Sequence, residues 1–285
     1  MSVLLRRFLV VGSVLGAAVL SVSPSQAASL GFYSVDRDTD ELVSIDASTG
    51  AVNVIGSLGV DVNDIDLTLL DGTLYGVSTR FPQQTALLQI DTTTGMSTFL
   101  GNLLRGGNPI RHAEGLTSKD GKLFAGFSTS PRGNPSSYLG ELQLDGTIVN
   151  DRNLGFNIDQ DGLGASPSGV LFSSDGVPGI NTTFLRTIEP TQTIGSYRHD
   201  VVAFNDLDFF GDDLFGISTQ HGLLHKIDSS NGTLIDTVTL NRDGTYLGLA
   251  TIPDDTTSTP EPSTLLGLGT LALAGGVLLR RRRKG

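Results

Sequence analysis

The chain has 285 residues, no cysteine, no tryptophan and a formal net charge of −11. Between its two ends, residues 28–259 hold 12 basic and 29 acidic side chains, near −17, which excludes a basic nucleic-acid footprint and opposes adsorption to anionic lipid. Without cysteine there are no disulfides, so about 225 residues must be held by an ordinary apolar core.

The chain opens on "MSVLLRRFLVVGSVLGAAVLSVSPSQA". Arg6 and Arg7 precede an apolar run from Phe8 to Leu20, and Ser25-Gln26-Ala27 offers small residues where a signal peptidase reads. Residues 1–27 are therefore expected to be a secretory signal peptide cut after Ala27. The body then runs from 28 to 253.

Within the body one element recurs: "LGFYSV" at Leu30, "LYGVST" at Leu74, "LFAGFST" at Leu123, "LFSSDG" at Leu171 and "LFGIST" at Leu214. Its aromatic residues, Tyr33, Tyr75, Phe124, Phe172 and Phe215, are 42, 49, 48 and 43 residues apart. An aliphatic-acidic pair follows each: Ile45-Asp46, Ile90-Asp91, Leu144-Asp145, Ile188-Glu189 and Ile227-Asp228. The segments alternate at period two and are rich in Val, Ile, Thr and Phe, which makes them strands. A unit of several short strands cannot bury both faces of its sheet alone, and packing like units around an axis solves that problem.

Ahead of each later marker lies a leader strand whose leucine, Leu67, Leu116, Leu163 or Leu207, precedes the aromatic by 8, 8, 9 and 8 residues. Tyr33 has no leader, whereas "GTYLGLATIP" (Gly244 to Pro253) is a leader without a marker. The expected fold is thus all-β, a five-bladed β-propeller closed by pairing of the N- and C-terminal strands.

Leader strands of a propeller line its axis, and these are acidic: Asp64, Asp66, Glu114, Asp159, Asp161, Asp206 and Asp208. Three chemistries remain open for them. They can bond nearby backbone amides in a purely structural role. Asp66, Glu114, Asp161 and Asp208 could supply oxygen ligands to calcium, the one cofactor considered. Glu114 with Asp64, Asp161 or Asp206 could form a general acid and nucleophile for polysaccharide hydrolysis or lysis. His112, His199, His221 and His225 lack the spacing of a zinc site. "DRDTDE" (Asp36 to Glu41) lacks the glycine and glutamate of a calcium loop and reads as a solvated hairpin. "RGGNPIRH" (Arg105 to His112) and "SPRGNPSS" (Ser130 to Ser137) read as longer loops of the kind that carries recognition.

After a polar linker at 254–259 come Pro260-Glu261-Pro262-Ser263-Thr264, the uncharged stretch Leu265 to Leu279, and Arg280, Arg281, Arg282, Arg283 and Lys284. A helix over about 264–280 is expected to cross a membrane. Its uncharged part spans roughly 22 Å at ~1.5 Å per residue, against ~30 Å of hydrocarbon, so it is a short span with snorkelling arginines. The basic end would stay cytoplasmic.

In this order, signature, short helix and basic cluster over residues 260–285, the tail resembles the PEP-CTERM sorting signal. The resemblance implies an exported protein of a Gram-negative-type bacterium, handled by signal peptidase and then by an exosortase-type processing enzyme. It implies that Pro260 to Thr264 form the recognition element, and that expression is linked to exopolysaccharide. The protein would be tethered in the inner membrane before processing, then delivered to the cell envelope or extracellular matrix. For the body, the expected activity is non-enzymatic binding of a glycan or a surface protein, with the axial hydrolase or lyase as the alternative.

Overall fold

The computed structural model describes residues 31–253, apart from 80–83, 129–136, 156–158, 177–181, 189, 199–202 and 219–221; the side chains of Glu114, Asp159, Gln160 and Asp161 are also outside the description. The expected signal peptide, the linker, and the sorting tail with its membrane span lie outside these residues, as do His199, His221 and most of Ser130 to Ser137. Among the described residues there is no helix.

Strands β1 (Gly31–Asp36), β2 (Glu41–Asp46) and β3 (Val52–Ser57) come first, followed by β4 (Asp64–Leu70), β5 (Thr73–Thr79), β6 (Ala86–Ile90) and β7 (Ser97–Asn102). A small hairpin, β8 (Leu104–Arg105) and β9 (Asn108–Pro109), precedes β10 (His112–Lys119), β11 (Lys122–Ser128), β12 (Ser137–Leu142) and β13 (Thr147–Asn153). Next are β14 (Asp159–Ala165), β15 (Leu171–Gly176), β16 (Thr182–Ile188) and β17 (Thr191–Arg198). The last group is β18 (Phe204–Phe210), β19 (Asp213–Ser218), β20 (Leu223–Ile227), β21 (Leu234–Thr239) and β22 (Tyr246–Thr251).

These strands form four four-stranded sheets and one six-stranded sheet in a propeller-like arrangement. The final strand, β22, pairs antiparallel with β1, Phe32 opposite Thr251 and Val35 opposite Leu247. Sequence expectation and structure differ at the third group. There the segment read as a loop folds as β8–β9, and β8 pairs parallel with β13. Two-residue strands carry no periodicity to read, and Gly106 and Gly107, at φ 55° and 81°, form the turn between them.

Burial follows position in the sheet. Second strands such as β5 and β19 are buried on both faces, whereas β3, β7 and β21 are largely exposed. The lead strands pack side by side in a closed order, β4 on β10, β10 on β14, β14 on β18, β18 on β22 and β22 on β4. The repeated aromatics fill the spaces between sheets, as where Phe32 meets Phe215 at 5.0 Å. The "DRDTDE" hairpin joins β1 to β2 as expected, but its first residue is not solvated. Asp36 is buried, 3.2 Å from the Arg242 guanidinium.

Candidate functional site

Each lead strand has either aspartate or glycine immediately before its leucine: Asp66, Gly115, Gly162, Asp206 and Gly248. The choice decides how that strand meets the next one. Where aspartate stands, the carboxylate bridges the seam. The Leu116 amide of β10 donates to Asp66 Oδ2, and the Leu249 amide of β22 donates to Asp206 Oδ2. A hydroxyl returns across each of these seams, Ser118 Oγ to the Leu69 carbonyl at 2.6 Å and Thr251 Oγ1 to the Phe209 carbonyl at 2.7 Å. Where glycine stands, the strands approach too closely for a side chain. A Cβ on Gly162 would lie 2.5 Å from the Asp206 Cα, and one on Gly248 2.6 Å from the Leu67 Cγ.

The second oxygen of each aspartate is also used. Asp66 Oδ1 accepts from the Leu67 amide at 3.0 Å and Asp206 Oδ1 from the Leu207 amide at 2.6 Å. Asp208 repeats the motif one step along, accepting from Phe209 at 2.8 Å and Thr251 at 2.6 Å. Burial lifts the Asp66 carboxyl well above the usual range, with the charge of Asp206 and a hydrogen bond to it adding to the effect. Burial raises Asp206 as well, opposed by the bonds it accepts from Asp66, Leu207 and Leu249. Two buried carboxyls in contact resist both being charged, so the pair as a whole holds a proton above the usual carboxylate range. Asp208 is half-buried, and desolvation of its carboxyl pushes it up to about 6 against the bonds from Thr251 and Phe209.

Of the residues singled out in the sequence, the structure thus brings Asp66 and Asp206 together. Asp64 opens β4, and its charge adds to the rise at Asp66. Glu114 and Asp161 fall at the register shifts of β10 and β14, their side chains outside the description. Among the described residues, no three His, Asp or Glu side chains are grouped so as to hold a metal ion. His112 opens β10, while His225 is buried with Nδ1 2.9 Å from Thr237 Oγ1.

A feature that sequence reasoning missed lies off the axis, on the face where the lead strands begin. A cavity of about 530 Å³ is lined by Asp61 from the β3–β4 connection, by Ser78, Gln84, Phe99 and Asn102, and by Arg111 after the β8–β9 hairpin. Its floor is one face of the second sheet, where Ser78 opposes Ala86, Ala86 opposes Asn102 and Leu88 opposes Phe99. A second cavity of about 570 Å³ on the other side of the hairpin shares Pro109 and Arg111.

The hairpin between them is held at its base. Leu103 and Ile110 are buried, the Ile110 amide donates to the Leu103 carbonyl at 2.9 Å, and the Leu103 amide donates to the Thr85 carbonyl at 2.8 Å. At its first strand, Arg105 pairs with Asp151 at 2.7 Å and lies 4.0 Å over the Tyr138 ring. The sequence signal available for this site was the longer spacing between the second and third markers.

Residues 258–283 match the PEP-CTERM protein-sorting motif. No curated protein matches the sequence. Among solved structures, a chain of a nidogen/laminin complex is similar over 79% of this chain and 99% of its own, at 12% identity and a TM-score of 0.56. The PQQ-bound aldose sugar dehydrogenase of Streptomyces coelicolor matches over 82% and 88%, at 13% identity and a TM-score of 0.49. The periplasmic gluconolactonase of Pseudomonas aeruginosa matches over 75% and 69%, at 17% identity and 0.43. At such identities the likeness is one of fold alone.

Proposed function

For a chain that carries a PEP-CTERM protein-sorting motif behind a β-propeller-like body, we propose the role of an exported, non-enzymatic binding module of the cell envelope or matrix. The motif implies sorting on export and processing by exosortase-type machinery. In this reading the five sheets are five blades, the signal peptide is removed after Ala27, and the helix at about 264–280 holds the protein in the inner membrane. The polybasic end remains cytoplasmic until the tail is processed near Pro260 to Thr264. The partner is an extracellular glycan or another surface protein.

One observation carries the preference for binding over catalysis. One oxygen of Asp66 and one of Asp206 accept an amide of the next lead strand, the other oxygen of each accepts the amide that follows it in its own strand, and the two carboxyls bond to one another. A glycosidase pair needs about 5 Å or more between its carboxyls and an open space for the sugar. The same bonds leave Asp66 and Asp208 few lone pairs to offer calcium.

Mass spectrometry of protein extracted from the surface of the producing cell tests the sorting half. The expected mature chain begins at Ala28 and lacks Leu265 to Lys284. Recovery of a surface protein that still carries Arg280 to Lys284 would remove the processing step from the account.

A further inference from the structure

We infer that the cleft on the second sheet, walled by the β3–β4 connection and the β8–β9 hairpin, binds a neutral saccharide; this rests on the binding-module reading and gives it a ligand class. The cleft's position is the first argument. In a repeat protein the departures from the repeat build what the repeat itself does not need. Here the departure is the β8–β9 hairpin, whose flanking residues Pro109 and Arg111 line the cavity. Its base is fixed by two buried side chains and by backbone bonds, so the wall is formed before any ligand arrives.

The floor narrows the ligand further. Ser78, Ala86, Leu88, Phe99 and Asn102 come from three adjacent strands whose backbone groups pair with one another. An occupant lying on this floor meets the sheet's face rather than the outer edge of β7, its last strand, so it must bring its own polar groups to side chains. The amides of Gln84 and Asn102 and the guanidinium of Arg111 line the cleft and offer the donors and acceptors that sugar hydroxyls bond.

Phe99, on the same face, is 59% exposed and Val60, also in the lining, is 38% exposed, an apolar surface that an occupant would cover. An aliphatic face of a sugar ring is a fitting cover. Asp61 and Arg111 leave the cleft close to neutral, while the body is near −17, which argues against an acidic polymer. The volume of about 530 Å³ falls among small-ligand sites, typically about 300–1,000 Å³.

The test titrates purified full-length protein with neutral gluco- and galacto-oligosaccharides, and with an oligo-uronate for comparison, followed by saturation-transfer NMR and calorimetry. We expect a neutral oligosaccharide to bind, and the oligo-uronate to bind more weakly. Phe99→Ala and Arg111→Ala should each weaken binding roughly tenfold with melting temperature unchanged, both side chains being exposed. Absence of neutral-sugar binding, or binding indifferent to both substitutions, overturns the cleft. If wild type and both variants bind polymer from the producer's own surface equally, the binding-module reading stands and the cleft falls. If wild type binds neither the sugars nor that polymer nor surface protein, both fall.

Discussion

Asp66 spends its two carboxyl oxygens on the amides of Leu67 and Leu116 and meets the carboxyl of Asp206, and burial raises both acids. A buried acid that must stay protonated makes stability depend on pH in a definite direction. Between the ordinary value of 3.8 and its raised native value, such a group holds its proton in the folded chain and loses it in the unfolded one. The contribution of these raised groups is therefore complete below about pH 4 and declines as pH rises. For Asp208 that decline ends near its native value of about 6, and for the Asp66–Asp206 pair the raised values extend it upward. Asp66→Asn keeps an N–H to donate to Asp206 and one oxygen to accept an amide, but it sets a donor against the Leu67 or Leu116 amide and removes one titrating proton. The expected outcome is a melting temperature below wild type at pH 4 and a shallower fall toward neutral pH. Asp66→Ala leaves the Leu116 amide without its acceptor and removes the bond from Asp66 to Asp206, and it should cost about 2–4 kcal/mol across the range. Thermal melts of the three proteins from pH 4 to 8 check this. A wild-type curve that rises with pH would contradict the proton held by the pair.

The strand pairs are closed by local chemistry that repeats from sheet to sheet. Asp46, Asp91 and Asp228 accept the amides two residues on at 2.9, 2.7 and 2.9 Å, so these amide bonds, with the Ser48 and Ser230 hydroxyls, lower their pKa values. A left-handed glycine ends each turn and presses on the outer strand of the preceding sheet. Gly95, at φ 80°, would place a Cβ 2.3 Å from the Gly56 carbonyl oxygen, whereas Gly72, at φ 77°, faces open space. The two glycines separate conformational strain from contact. Gly72→Ala should cost about 1 kcal/mol, and Gly95→Ala about 3 kcal/mol or more because backbone must also move. Denaturant titration decides it, and equal losses would show that the approach of sheet to sheet carries no weight. This level was the most legible in the sequence, since the aromatic marker recurs every 42 to 49 residues and is followed by an acidic pair and usually by a turn glycine. The β8–β9 hairpin was not legible, because Leu104 to Pro109 is too short for any period. The axial aspartates were legible as positions but not as a pair: only the ring brings Asp66 and Asp206 together from 140 residues apart. Of the cleft only one wall was legible, Arg105 to His112 as a loop of the kind that carries recognition; the rest of its lining is drawn from separate connections and strands.

Closure is the property on which the whole molecule depends. Each lead strand has two lead-strand neighbours, and β22 lies between β18 and β4 while also completing the first sheet beside β1. Tyr246, Leu247, Leu249 and Ala250 are all buried there. A chain that stops after Leu240 loses three contacts at once. The Asp206 carboxylate loses the Leu249 amide, β1 gains an unpaired edge, and the cores on both flanks of β22 open. It also loses Arg242, which lies 3.2 Å from buried Asp36 and 2.8 Å from Glu41. Such a chain should show no cooperative melt and should aggregate, while one that stops after Pro253 should melt as the full-length protein does. Pairing of Phe32 with Thr251 places the two ends of the body side by side, which allows a stricter test. A permuted chain that joins Pro253 to Gly31 through a short linker, and begins instead at exposed Val60, retains every strand pair and should fold cooperatively. Calorimetry of the permuted and shortened chains would distinguish a closed ring from an open stack of sheets. In a stack the loss of one terminal strand would lower stability only slightly, and the shortened chain would still melt in a single transition.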